Sequence, residues 1–385
     1  MLHRGDRERL NPGDVPGRLQ CYSPCMSRRR VFLRVGGAVA GLVLLAGALS
    51  LLHPRVQYVL TAARYQLEVL WGRVPVEEAL ASGQFTPEQQ ATARLVPAIK
   101  AHAQQLGLAD TGHYSTINAG WDHTVWNVSG CQELSFAPRT WWFPIVGTVP
   151  YLGFFDEAAA RAEADAMEAD GLDVYVRTAG AWSTLGWFED PLLPHMLDWD
   201  EARLSNTLFH ELTHATVWLP GSVAFNESVA SFVGEEAALD YLEDKYGADS
   251  EPVRKELARR ADRAVYLKLM HDVYAELDAV YTDDALSDEA KRARKSEILG
   301  SLPERAMHAG FSDPGRWSRW LAAEPWNNAR LVQFRVYNKS PEHFAAVLQR
   351  TGDLKSFLDE MERIAASSDD PYAALEEAAE QPLRR

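Results

Sequence analysis

Two histidines and two glutamates carry the chemistry legible in this chain. His210 and His214 bracket Glu211 in the run His210-Glu211-Leu212-Thr213-His214, and Asn226-Glu227-Ser228-Val229-Ala230 follows. On a helix, positions i and i+4 share one face, about one turn apart. Two imidazoles so placed can bind a single Zn²⁺ at roughly 2.0–2.1 Å. Glu211 then stands beside them, placed to take a proton from a water that the metal activates. A catalytic zinc needs three protein ligands and an open fourth position. Glu227 is the natural third ligand, and Glu235 and Glu236 compete with it. One catalytic Zn²⁺ is therefore the expected cofactor.

The elements that must position these groups are two helices. Ala202 to Trp218 carries Leu204, Leu208, Leu212 and Ala215 on one stripe and stops at Pro220-Gly221, a breaker pair. A second helix begins near Ala224. Its face bearing Glu227, Ala230, Ser231 and Gly234 is small apart from the carboxylate, so another helix can come close. Phe225, Val229, Phe232 and Val233 serve a core on its other sides.

This arrangement resembles the glutamate-zincins, metallopeptidases whose third ligand is a Glu in an N-E-x-x-[AS] helix. More closely, the chain resembles the bacterial putative aminopeptidase family, whose members typically carry a membrane anchor or a lipoprotein signal. The stretches that match are Gln57 to Arg64, Val125 to Val128, Tyr175, Ser183 to Leu192, the two zinc segments, and Asn327-Asn328-Ala329-Arg330-Leu331. They run from about residue 56 to about residue 350. The resemblance implies a zincin-like fold and aminopeptidase activity on a peptide substrate. Two features depart from thermolysin-like enzymes. The gap from the second His to the Glu is shorter, and Ser231 stands where those enzymes carry an Asp that orients the first His. An acceptor behind each metal-ligating His is still expected.

Residues 1–54 hold eight Arg and three acidic residues, net +5 against −15 for the chain, which leaves −20 beyond them. An acidic body argues against nucleic acid and against adhesion to anionic lipid. Cys21 and Cys25 precede a long apolar run, and Cys131 stands alone in the body, so no disulfide framework exists there. Val35 to Leu52 has no charge and follows Arg28, Arg29, Arg30 and Arg34. It reads as a retained single-pass anchor in the lipid bilayer, with a cleaved signal (Ala46-Gly47-Ala48) as the alternative. The basic flank stays in the cytoplasm. The expected location is thus the bacterial inner membrane, with the catalytic domain on the periplasmic side. Arg29-Arg30 also resembles a twin-arginine signal.

The expected organisation is a disordered N-terminus (1–30), an anchor or signal (31–54) and a zincin-like domain (55–385). That domain comprises an α+β part with the zinc site (55–245) and a helical lobe (246–385). Helices are expected at Gln57–Trp71, from Pro87 towards Leu106, at Asp156–Asp170, Glu251–Ala279, Lys291–Leu302 and Pro325–Tyr337. Strands are expected at Thr124–Ser129, Leu134–Ala137, Trp141–Val146 and Asp173–Thr178. Ala181 to Phe188 is either a substrate-pairing edge that lines the cleft with Thr184, Gly186 and Trp187, or a plain turn. Asn328, Arg330 and Tyr337 are polar candidates for the cleft, with Tyr337 the choice for an oxyanion donor. The fold class is α+β: a small mixed sheet beside the HExxH helix and a mostly helical C-terminal lobe. The expected activity is a zinc metallopeptidase in which Glu211 is the general base. A zinc endopeptidase, or an inactive zincin-fold protein binding peptide or cell-envelope material, are the rival readings.

Overall fold

The computed structural model describes residues 54–143, 147–178, 189–337, 340–368 and 370–381. In chain order its elements begin with α1 (Pro54–Trp71), β1 (Val74–Pro75), α2 (Val76–Ala81), α3 (Pro87–Ala93) and α4 (Val96–Gln105). There follow β2 (Thr116–Ile117), β3 (Trp126–Gln132), β4 (Trp141–Phe143), β5 (Gly147–Val149), β6 (Leu152–Phe154), α5 (Glu157–Ala169) and β7 (Leu172–Thr178). A 3₁₀ turn (Pro194–Asp198) leads into α6 (Glu201–Thr216) and α7 (Val223–Tyr246). The rest is helical: α8 (Glu251–Thr282), α9 (Asp288–Gly300), α10 (Leu302–His308), α11 (Pro314–Ala322), α12 (Asn328–Tyr337), α13 (Pro341–Thr351), α14 (Leu354–Ser367) and α15 (Pro371–Glu380). The architecture is mixed α and β, mostly helical, with small sheets. The chain divides after Thr61, and Ala62–Arg385 is one compact unit.

The largest sheet has the order β6-β3-β7, antiparallel throughout. Side chains alternate across it. Val128, Leu172, Val174 and Val176 point one way, against Ala160, Ala164 and Met167 of α5. The other face is polar and meets α12: Ser129 Oγ donates to Gln333 Oε1 at 3.1 Å, and Asp173 Oδ2 accepts from Asn328 N at 2.7 Å. The Asn327 side chain donates to Val174 O at 2.7 Å. These bonds satisfy several of the polar groups buried between sheet and helix, although Gln333 Nε2 has no hydrogen-bond partner among the described residues.

Leu134–Ala137, expected as a strand, is a turn and irregular chain. The Asn328 side-chain amide gathers the carbonyls of Gln132, Glu133 and Ser135 there, which ties up the groups a strand partner would need. The single helix expected from Pro87 towards Leu106 is two, broken at Arg94-Leu95, because Pro97 in the first turn of α4 has no N–H to continue the ladder. Of the strand expected at Trp141–Val146, β4 is described and residues 144–146 lie outside the described residues.

Besides the cluster between the sheet and α5, two larger cores organise the unit. In the main one, Ile99 of α4 packs with Leu204, Leu208 and Leu212 of α6, with Val229 and Val233 of α7, and with Phe344, Phe357 and Met361 of α13 and α14. The second joins Met270, Val273 and Leu277 of α8 to Leu302, Leu321 and Leu331. Helices after Pro341 therefore return to the core that carries α6 and α7. No described helix is long and apolar enough to cross a membrane, and Val35–Leu52 lies outside the described residues.

Candidate metal centre

Helix α6 starts where Asp200 caps it, its carboxylate accepting from Arg203 N at 2.8 Å. Leu204, Leu208 and Leu212 bury one stripe, and His214, also buried, shares another side of the helix with His210. The chain then reverses through a turn in which Gly221 has φ +82°, a conformation that favours glycine. Asn226 holds this turn with both ends of its amide: Oδ1 accepts from Leu219 N and Nδ2 donates to Leu219 O, each at 2.9 Å. The next residue is Glu227. The Asn of the N-E pair thus fixes the start of α7, and with it the carboxylate.

Helices α6 and α7 pack closely, and the ligand atoms of His210, His214 and Glu227 all lie within 4.8 Å of one another. Glu227 Oε2 is 3.4 Å from His210 Nε2 and 3.8 Å from His214 Nε2. Donors at zinc distance in a tetrahedron stand about 3.3 Å apart, so the donor set and its spacing fit one zinc. Among the described residues no other group of three such side chains has this geometry. The imidazole rings lie 4.9 Å apart and nearly perpendicular, and each brings its Nε2 within 3.8 Å of Glu227 Oε2.

The electrostatics suit a cation. Burial pushes the His214 imidazole down to about 4, against the pull of Glu227, so it is neutral at pH 7 and its nitrogen is available as a ligand. Burial alone would raise Glu227. The His210 hydrogen bond and the charges of His214, His210 and Arg177 outweigh it and lower the carboxyl below its usual range. Burial likewise opposes protonation of His210, but the Glu227 hydrogen bond and the carboxylates of Glu211, Glu227 and Glu235 raise it. Negative charge thus surrounds the two rings. No hydrogen-bond partner for His214 Nδ1 is found among the described residues.

The competing carboxylates are engaged elsewhere. Glu235 pairs with Arg263, and Glu236 Oε1 pairs with Arg260 Nη1 at 3.2 Å, both arginines on α8. Of the three candidate glutamates on α7, Glu227 is the one that joins the histidines.

Tyr114 stands near Glu211 and was not legible in the sequence. It adopts φ +62°, a left-handed conformation that is strained for a bulky side chain. Its loop is held from several sides. Lys100 Nζ donates to Thr111 O, His113 O and Ser115 Oγ, and Tyr114 N donates to Asp190 O at 2.7 Å. The phenol is buried, and its hydroxyl has no hydrogen-bond partner among the described residues. Burial first, then the charges of Glu211 and Asp190, raise its pKa well above the usual tyrosine value, so it remains a neutral donor. Arg177, whose charge acts on Glu227, was also missed. It lies on the polar side of β7, in register with Asn127 of β3.

The other candidates fall elsewhere. Asn328 is committed to backbone carbonyls and to Tyr281, and the Arg330 guanidinium stacks 3.9 Å from the Trp326 ring. Both hold α12 to its neighbours. Tyr337 is the last residue of α12, and its side chain lies outside the description. So do residues 181–188, including Thr184, Gly186 and Trp187. Beyond them, Asp190 is buried and its N–H donates to His113 Nδ1 at 3.0 Å.

A mostly helical α+β unit thus brings two histidines and a glutamate together from one helix pair. Residues 57–374 match the putative aminopeptidase family, and the chain belongs to that family. No curated protein and no solved structure matches it.

Proposed function

We propose that this protein is a zinc-dependent peptidase, specifically an aminopeptidase, that acts outside the cytoplasm at the bacterial inner membrane. The convergence of His210, His214 and Glu227 within 4.8 Å supports this above all else. A zinc ion held there would act as a Lewis acid on a peptide carbonyl and lower the pKa of a bound water.

The protein's own groups supply the rest. Glu211 accepts the proton of the attacking water as the oxygen–carbon bond forms, then returns it to the amine as the carbon–nitrogen bond breaks. The charge that develops on the carbonyl oxygen calls for a neutral donor. Two tyrosines are candidates. The sequence points to Tyr337, and the Tyr114 hydroxyl, which has no partner among the described residues, favours Tyr114. Arg177 adds positive charge beside Glu227 and helps to keep that carboxyl ionised.

The test is hydrolysis by the purified, zinc-loaded chain of a dipeptide anilide with a free amine, beside its N-acetylated form and a blocked longer peptide. Cleavage of the free-amine substrate alone is expected. Cleavage of the blocked peptide alone would make the protein an endopeptidase, and failure on all three would leave it a binding protein.

A further inference from the structure

Helix α1 is apolar on two opposite sides. Tyr65 and Val69 turn inward, Val69 being 1% exposed within the main core. On the far side Leu60 is 52%, Leu67 43% and Trp71 80% exposed. At 100° per residue those three lie within about 40° of one another, and Val69 lies opposite Leu60. Ala63 continues the stripe on one side and Val59 flanks it, while Arg64 stands beside Trp71 on the other side, where Gln57, Thr61 and Glu68 complete a polar border. Single exposed apolar residues are unremarkable, but a stripe along one helix that ends in a tryptophan marks an interaction face.

What covers the stripe follows from what precedes the helix. The uncharged run Val35–Leu52 ends two residues before Pro54, the first residue of α1. If the bilayer holds that run, α1 begins at the headgroup level, and Pro54 allows the chain to change direction there. A helix of 18 residues is about 27 Å long. Lying flat, it places its leucines at the acyl boundary and Trp71 in the interfacial zone that tryptophan favours. The acidic body excludes attraction to anionic lipid as the cause. Apolar burial in a neutral interface remains.

We infer that α1 lies along the membrane surface, with Leu60, Leu67 and Trp71 immersed in the interface of a zwitterionic bilayer. The inference rests on the anchor reading of Val35–Leu52. It adds a membrane contact beyond the span, which the long apolar run alone does not announce.

The full-length chain, reconstituted in phosphatidylcholine vesicles, tests it. Cys21 and Cys25 are replaced by Ser. Cys131 can stay, because burial raises its thiol to about 12 and keeps it unreactive. Single cysteines at Leu60, Leu67 or Trp71, and at Thr61 or Glu68 as controls, carry an environment-sensitive fluorophore. Lipid-borne quencher should dim the first three several-fold more than the controls, with no change at high salt. Equal exposure of all five to water would overturn the inference. Protection at 60, 67 and 71 without lipid quenching would also overturn it, since the stripe would then be covered by protein. A chain that carbonate releases from the vesicles, yet whose three labels are quenched whenever vesicles are present, would discard the anchor and keep the surface helix.

Discussion

Gly234 of α7 lies against His210 of α6 so closely that a Cβ on the glycine would stand 3.2 Å from the histidine's Cβ and 2.8 Å from the carbonyl oxygen of Asn206. The metal site depends on this approach. Alanine at this position would gain up to about 1 kcal/mol of helix propensity, but overpacking typically costs about 1–3 kcal/mol. The clash is with backbone, which cannot swing aside, so the loss wins. Gly234→Ala is expected to lower the melting temperature and to weaken zinc binding, because the His210 and Glu227 donors move apart. A zinc titration with thermal melts checks this. Unchanged affinity would show that the helices tolerate a wider spacing.

Glu227→Ala removes one of three donors, and the zinc affinity should fall by more than the roughly 10–100-fold seen when an outer partner of a ligand is lost. Glu235→Gln and Glu236→Gln should keep full zinc content, since those side chains serve α8 arginines. Metal analysis of each variant, checked for folding by circular dichroism, separates the three. Full occupancy in a folded Glu227→Ala protein would remove Glu227 from the site.

Tyr114→Phe has opposite expected effects on stability and on rate. The lost hydroxyl makes no hydrogen bond among the described residues, and a buried unsatisfied polar group costs about 1–3 kcal/mol. The variant should therefore melt at the same temperature or higher. Turnover should drop roughly 10²–10³-fold, as when one oxyanion donor is removed. Full activity in Tyr114→Phe together with a large loss in Tyr337→Phe would return the role to Tyr337.

Asn226→Ala should destabilise the helix turn. Two hydrogen bonds to Leu219 disappear, a net loss of about 1–3 kcal/mol at roughly 0.5–1.5 kcal/mol each. Zinc affinity should fall with it, because Glu227 follows directly. Chemical denaturation and zinc titration on the same variant test both. A stable Asn226→Ala protein with normal affinity would mean that α7 starts correctly without the clasp.

Much of the site could be read because its signals are local. The i, i+4 histidines, the breaker at Pro220-Gly221 and the small face around Gly234 each follow from helix geometry alone. The choice among Glu227, Glu235 and Glu236 did not, because the arginines that engage the last two lie on α8, a separate helix. Tyr114 was invisible for the same reason. Its strained loop is held by Lys100 and by Asp190, and no pattern in neighbouring residues marks a left-handed tyrosine. Asn328 and Arg330 look like cleft residues by polarity, yet they satisfy carbonyls and stack on Trp326, an outcome that depends on tertiary contacts. The strand predicted at Leu134–Ala137 failed similarly, since a distant asparagine captures its backbone.

The most direct measurement pairs zinc content with peptide turnover in wild type and Glu211→Gln, on the same preparations. The amide cannot accept a proton, and a general base contributes about 10²–10⁴-fold. The account predicts one zinc per chain in both proteins, hydrolysis of the free-amine substrate by the wild type, and a loss of that size in the variant. A Glu211→Gln protein that holds its zinc and cleaves at the wild-type rate would contradict it.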